Sequence, residues 1–398
     1  MHATHLLNKH LSRMCQGIHK KRMAALMDIV QACIQGKKLS VTGLGRAIKN
    51  AVFEKHNIKR ADRLIGNPAL NQERGLVYRA LARWVISQQH RPVILVDWSD
   101  LSADRHHHVL RASLPVGGRA LTLYDEVHPH AKLGNPTVQH RFLKTLKNLL
   151  PESCCPIIIS DAGFRNPWFR AVQAMGWDFV GRVGGHTMIS PHNDEDWIRV
   201  EPVFNSATTR PKYLGHIDLT RKDPLACHAY LVKKKKQGRV KKTVFGERCT
   251  SKYSEKNAHR ERTPWLIVTS LEGGAKITKR VMNLYKTRMQ IEEGFRDFKN
   301  SRWGFSLDEA RTSATYRYEN LLLVGALATF VVWLVGKLAE MKNQHRHYQA
   351  NTIKARNVLS TFYLGCRVLN KPGLEFRETD FKQALLALRQ QFDVQCYA

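Results

Sequence analysis

Two short stretches constrain this chain more than any other: "PVILV" at 92–96 and "PIIIS" at 156–160. Both are continuous apolar runs rich in β-branched residues, and neither alternates with polar positions. That pattern belongs to strands covered on both faces, which requires helices on either side of a sheet. The intervening sequence agrees. "HHVLRASLPVGGRALTLYDEV" reads as two strands joined at "PVGG", and "PTVQHRFLKTLKNLL" (136–150) as an amphipathic helix between two prolines. "PWFRAVQAMGW" starts a second helix at Asn166-Pro167, and "DFVGRVGG" (178–185) is a further strand. The order strand, strand, strand, helix, strand, helix, strand predicts an α/β core.

The flanks differ. Residues 1–90 read as short helices, and "SVTGLGRAIKNA", with Ser40 as cap, followed by "HNIKRADRLIGN" suggests a helix-turn-helix element. Residues 186–262 are basic and loop-rich, with "KKKKQGRVKK" at 233–242, and are expected to form a β-rich insertion. "PWLIVTS" (264–270) returns to strand character. "LLLVGALATFVVWLVG" (321–336) is short for a membrane span and is flanked by charge, so it is expected to be a buried core helix. The last sixty residues look helical, with a break at Gly365 and a "NKPG" turn. The expected organisation is a helical domain over 1–90, a central α/β domain over 91–340, expected to carry any chemistry, and a helical C-terminal region over 341–398, a candidate dimerisation element.

Composition narrows the partners. The chain of 398 residues carries 64 Lys and Arg against 33 Asp and Glu, a formal net charge of +31. Such a field draws in polyanions, nucleic acid first. The eight cysteines include no C-x-x-C pair, which argues against a zinc ribbon or a secreted disulfide scaffold and favours a reduced, cytoplasmic setting.

Both apolar strands end in a carboxylate, Asp97 in "VILVDWSD" and Asp161 in "PIIISDAGF". In open α/β sheets, sites gather at the carboxyl ends of strands, and a carboxylate buried there needs compensation, such as a metal ion. Asp100 is a weaker candidate, three residues beyond the strand end. A third acidic position stands in "YKTRMQIEEGFRDFK" (285–299). At about 100° per residue counted from Tyr285, Arg288, Glu292, Arg296 and Lys299 fall in one narrow stripe. By the same count Glu292 borders the apolar stripe of Leu284, Ile291, Phe295 and Phe298, and Glu293 faces solvent. Glu292 is therefore the glutamate expected to do chemistry.

Tyr285, Arg288, Glu292 and Lys299 spell Y-x2-R-x3-E-x6-K. Together with the two strand-end aspartates and the insertion before the glutamate, this resembles the insertion-sequence-4 family of cut-and-paste DDE transposases, over about residues 20–370. The resemblance implies a ribonuclease-H-like catalytic core and a catalytic, metal-binding triad of Asp97, Asp161 and Glu292. Such a triad would hold two Mg2+ ions, with Mn2+ as a substitute, since oxygen-only donors favour these over zinc. It implies that Tyr285, Arg288 and Lys299 contact phosphates beside the cleaved bond, and that Trp265 stacks on a base flipped out as the end folds into a hairpin. Lys59, Arg60 and Arg63 are expected to contact end DNA. The lysines at 233–242 would grip the backbone without sequence preference.

The expected function is that of a transposase that binds double-stranded DNA at terminal inverted repeats and at the target. It would pair two ends as a homodimer, with no membrane involved, cut both strands through a hairpin and join the 3′ ends to the target. The rival enzyme is a structure-specific nuclease on the same fold. The non-enzymatic rival is a DNA-binding repressor with an inactive site.

Overall fold

A computed structural model describes residues 3–102, 104–234, 247, 263–353, 356–370 and 376–397. In chain order the elements are α1 (Ala3–Met14), α2 (Lys20–Gly36), α3 (Val41–Ala47), α4 (Glu54–Ile65), α5 (Pro68–Ile86), β1 (Val93–Asp100), β2 (His107–Val116) and β3 (Arg119–Pro129). Then follow α6 (Pro136–Leu149), β4 (Ile157–Ser160), α7 (Asn166–Ala174), β5 (Asp178–Val183), β6 (Met188–Pro191), β7 (Ile198–Arg199), α8 (Val200–Val203), β8 (Lys212–Leu219) and β9 (Leu225–Val232). The rest are β10 (Trp265–Thr269), α9 (Thr278–Lys286), α10 (Met289–Lys299), α11 (Thr315–Met341), α12 (Thr361–Leu369) and α13 (Glu378–Gln391). The fold is mixed α/β, and the succession β1-β2-β3-α6-β4-α7-β5 is consistent with a ribonuclease-H-like core.

The chain forms two compact units, one of Met1–Pro156 with Thr287–Cys396 and one of Ile157–Lys286 with the last two residues. This division cuts across the expected catalytic domain of 91–340. The N-terminal helices, the first three strands and the C-terminal helices share one unit.

In the first unit β1, β2 and β3 form an antiparallel meander in which Asp97 pairs with Arg111 and Arg111 with Asp125. The β2–β3 turn is Gly117-Gly118, with φ of 54° and 86°. Two left-handed residues in succession match the twist of a tight hairpin, and glycine takes them without steric cost. Helix α10 lies on all three strands and buries Ile291, Phe295 and Phe298.

The 27-residue α11 is long and apolar enough to cross a membrane, yet it is packed inside this unit, as expected of a core helix. It meets α2, α5, α12, α13 and β3. Gly365 does not break the last helical region. It lies inside α12, where a Cβ would collide with the carbonyl of Val332, and a Cβ on Gly336 would collide with that of Thr361. The two glycines let two backbones touch.

In the second unit β4 and β5 are parallel, and the strands run in the order β4-β5-β10-β9-β8-β6-β7. The described part of 186–262 contains β6 to β9, the β-rich character expected there. Of the basic run, Lys233 and Lys234 are described, and 235–242 lie outside the described residues.

The stretch 285–299, expected as one helix, is two. Between Lys286 and Thr287 the chain passes from the second unit to the first. Thr287 and Arg288 form a turn, bonded from Gln290 N to Thr287 O (2.8 Å) and from Ile291 N to Arg288 O (3.2 Å). These tight i→i+3 bonds open α10 without a side-chain cap.

Candidate active site

Asp97 closes the apolar part of β1 and is itself buried. Its Oδ1 accepts from the Trp98 N–H at 2.8 Å. Its Oδ2 lies 3.6 Å from Arg288 Nη1, and the same nitrogen donates to Glu292 Oε1 at 2.6 Å. One guanidinium thus stands between two carboxylates, one on a strand and one on a helix. Two residues further along β1, on the same face, Ser99 Oγ accepts from Lys299 Nζ at 3.0 Å. Burial holds the Lys299 ammonium below the usual lysine range, and Asp308 and Asp100 pull the other way. Arg288, Glu292 and Lys299 therefore form one flank of α10, turned toward β1.

Glu293 lies on the other flank. It pairs with Arg296 and, at 3.5 Å, with Arg119 Nη1, while Arg119 Nε donates to Asp297 Oδ2 at 2.7 Å. The expectation that Glu293 faces solvent is overturned: its side chain is 29% exposed, against 43% for Glu292. The cause is two residues that do not look apolar. Gly294 is buried where a Cβ would meet the Ala120 carbonyl at 3.4 Å, and Asp297 is buried by its pairing with Arg119. With them counted, the two glutamates flank the packed face on opposite sides, each about 130° from its centre. The partners, not exposure, single out Glu292.

Asp161 belongs to the second unit and directly follows β4. Its Oδ1 accepts from Gly163 N at 2.8 Å, an Asx turn that fixes the carboxylate at the strand end. Trp265, half-buried, opens β10, with its ring 5.1 Å from Tyr285 in an edge arrangement and Lys234 Nζ 4.0 Å above it. Tyr285 itself is buried. In the first unit Lys59 and Arg63 stand on the exposed side of α4, and Arg60 is paired with Asp28 of α2. Asp100 points to the opposite face of β1 from Asp97, toward Arg105 (3.3 Å) and His108 (3.0 Å).

Sequence reasoning missed the support beneath α10. Arg111 binds Asp125 through two hydrogen bonds, 2.7 and 2.9 Å, and both side chains are buried. The guanidinium lies 4.9 Å from the Phe295 ring centre and 4.1 Å from that of Phe298. Burial pushes the Asp125 carboxyl up, and Arg111 opposes it. A charge in the middle of an apolar strand, in "VLRASL" and again in "LYDEV", was the available signal.

Among the described residues no three His, Cys, Asp or Glu side chains gather as a metal-binding cluster. Asp97 and Glu292 nevertheless share one cationic centre, the Arg288 guanidinium, and both offer hard oxygen donors. Oxygen donors of this kind are those that a magnesium-type cation takes.

A strand-end carboxylate near a helix-borne carboxylate, on a mixed α/β fold, supplies the kind of oxygen donors that metal-dependent phosphoryl-transfer enzymes use. The profile of the transposase DDE domain matches residues 88–328, and the chain belongs to that family of DNA-cleaving, strand-transferring enzymes. No curated protein sequence matches it. Among solved structures, the chain is similar to that in the cryo-EM structure of the piggyBac transposase synaptic complex with hairpin DNA. Identity is 10% and the TM-score 0.45, over 93% of this chain and 76% of that one.

Proposed function

We propose that this chain is a cut-and-paste transposase of the insertion-sequence-4 group, close to the transposase of the composite tetracycline-resistance transposon Tn-ten. It binds the inverted repeats of its element as a homodimer in the bacterial cytoplasm, associated with the nucleoid. It cleaves both strands through a hairpin and joins the freed 3′ ends to target DNA. The observation that carries this reading is the Asp97–Arg288–Glu292 bridge inside a DDE domain, with Lys299 anchored beside it.

Asp97, Glu292 and Asp161 would hold the divalent cations that this family normally uses. When bound, two such ions activate the attacking oxygen and stabilise the leaving one. Arg288, beside both carboxylates, would offer its two-pronged donor face to a phosphate oxygen of the bound end. Lys299, held by Ser99, supplies a second positive charge along the same flank. The Trp265 ring, with Lys234 over it and Tyr285 packed against it at a steep angle, would stack on an extruded base, worth roughly 1–3 kcal/mol.

The test is a denaturing-gel time course on end-labelled repeat DNA with Mg2+. Nick, hairpin and joined product in sequence are expected from the wild-type protein. Trp265→Ala should accumulate nicked DNA with little hairpin. Hydrolysis without hairpin or joining would instead identify a nuclease, and binding without cleavage a repressor.

A further inference from the structure

The turn between α3 and α4 is the most exposed apolar point on the N-terminal helices. Phe53 is 77% exposed and Val52 52%. Isolated exposed apolar side chains are common on protein surfaces, so the pair is informative through the rigidity and charge of its surroundings. The turn is not slack. Asn57, on α4 and only 4% exposed, exchanges amide hydrogen bonds with Asn50 at 2.8 and 3.1 Å. Asn50 Oδ1 also accepts from Val52 N at 3.1 Å. Under it α3 crosses α4 so closely that a Cβ on Gly45 would collide with the Ile58 backbone. The turn is built to hold Val52 and Phe53 outward before any partner arrives, so little ordering entropy is left to lose on binding.

Charge says what the partner is. Residues 46–63 hold six cations and two carboxylates, and both carboxylates are committed: Glu54 to Arg46 at 2.8 Å and Asp62 to Arg317 at 2.5 Å. Lys55, Lys59 and Arg63 follow one another at i, i+4 and i+8 on the exposed side of α4, opposite the buried Asn57, Ala61 and Leu64. A helix with a cationic row along it and an apolar tip at its start matches a duplex groove: phosphates for the row, base edges for the tip.

We propose that α4 lies in the major groove of the element's DNA end and that Phe53, with Val52, reads thymine methyl groups there. Apolar contact with that methyl is how an uncharged side chain distinguishes thymine. The proposal rests on the DNA-end reading above and adds to it the residue that contributes sequence preference. The six-residue connection from Ala47 to Glu54 is longer than an ordinary helix-turn-helix turn, and it carries the contact itself.

The experiment measures affinity of the full-length protein for a labelled end duplex by fluorescence anisotropy. Each thymine is replaced in turn by deoxyuridine, for wild type, Phe53→Ala and Phe53→Leu. At one or two positions the lost methyl should weaken wild type about fourfold, the worth of one buried methyl-sized group. Phe53→Ala should bind the normal end more weakly, ignore those same substitutions and keep its melting temperature. Phe53→Leu should keep part of the sensitivity. End binding by Phe53→Ala equal to wild type overturns the proposal, as do deoxyuridine effects of the same size in both proteins. If Phe53→Ala also melts earlier, Phe53→Leu with unchanged stability and no thymine sensitivity overturns it. Wild type that binds no DNA would overturn the end-binding reading as well.

Discussion

Glu292 and Glu293 are neighbours on different flanks of one helix: Glu292 pairs with Arg288, Glu293 with Arg296 and Arg119. Glu292→Ala should abolish strand cleavage while a gel shift on end DNA survives. Glu293→Ala should cleave nearly normally and lose no more than about 1 kcal/mol, the worth of a partly exposed ion pair. A cleaving Glu292→Ala would sink the assignment. Arg288→Ala should show two effects at once: tighter Mn2+ binding in DNA-free protein, read by calorimetry, and slower cleavage. Asp297 offers a pH signature. Burial, only partly offset by Arg119, pushes its carboxyl up to about 6. A folded-state value above the unfolded one means the native protein holds the proton longer. Its contribution is therefore present below about pH 4 and is lost as pH rises through about 6, by on the order of 2–3 kcal/mol. Asp297→Asn should flatten that slope in urea melts taken from pH 4 to 7, and an unchanged slope would remove Asp297 as its source.

The elements were more legible than their packing. Apolar runs bracketed by Pro and Asp marked β1 and β4, because a strand buried on both faces cannot carry polar positions. The packed face of α10 was misplaced because burial of Gly294 and Asp297 depends on Ala120 and Arg119, on a strand 174 and 178 residues away in the chain. Gly365 looked like a helix end for the same reason: its use is a backbone contact with α11, which no local pattern records. The Arg111–Asp125 pair beneath α10 makes a further test. Asp125→Leu should destabilise by about 3–5 kcal/mol by leaving Arg111 buried and unpaired, whereas Arg111→Met with Asp125→Leu should recover most of the loss. Chemical denaturation of the three proteins measures this, and a double variant as unstable as the single would refute it. Gly365→Ala should cost about 1–3 kcal/mol through overpacking against Val332.

For the molecule as a whole, the net charge of +31 sets the salt response. The log–log slope of end binding against salt should steepen by about 0.9 for each phosphate neutralised, and a flat line would point away from nucleic acid. The chain path has a consequence of its own. The strands of the first unit are finished by Pro156, but the helices that cover them begin at Thr287, beyond the 130 residues from Ile157 to Lys286. At roughly 5–20 residues per second, a ribosome needs about 7–26 s to cross that interval. Throughout it, the apolar face that α10 and α11 will cover stands open on a nascent chain. A product that ends early holds Asp97 but not Glu292, on a sheet with one side bare. Such fragments should be insoluble and without activity, so the capacity to cut DNA arrives only after α10 and α11 have been made.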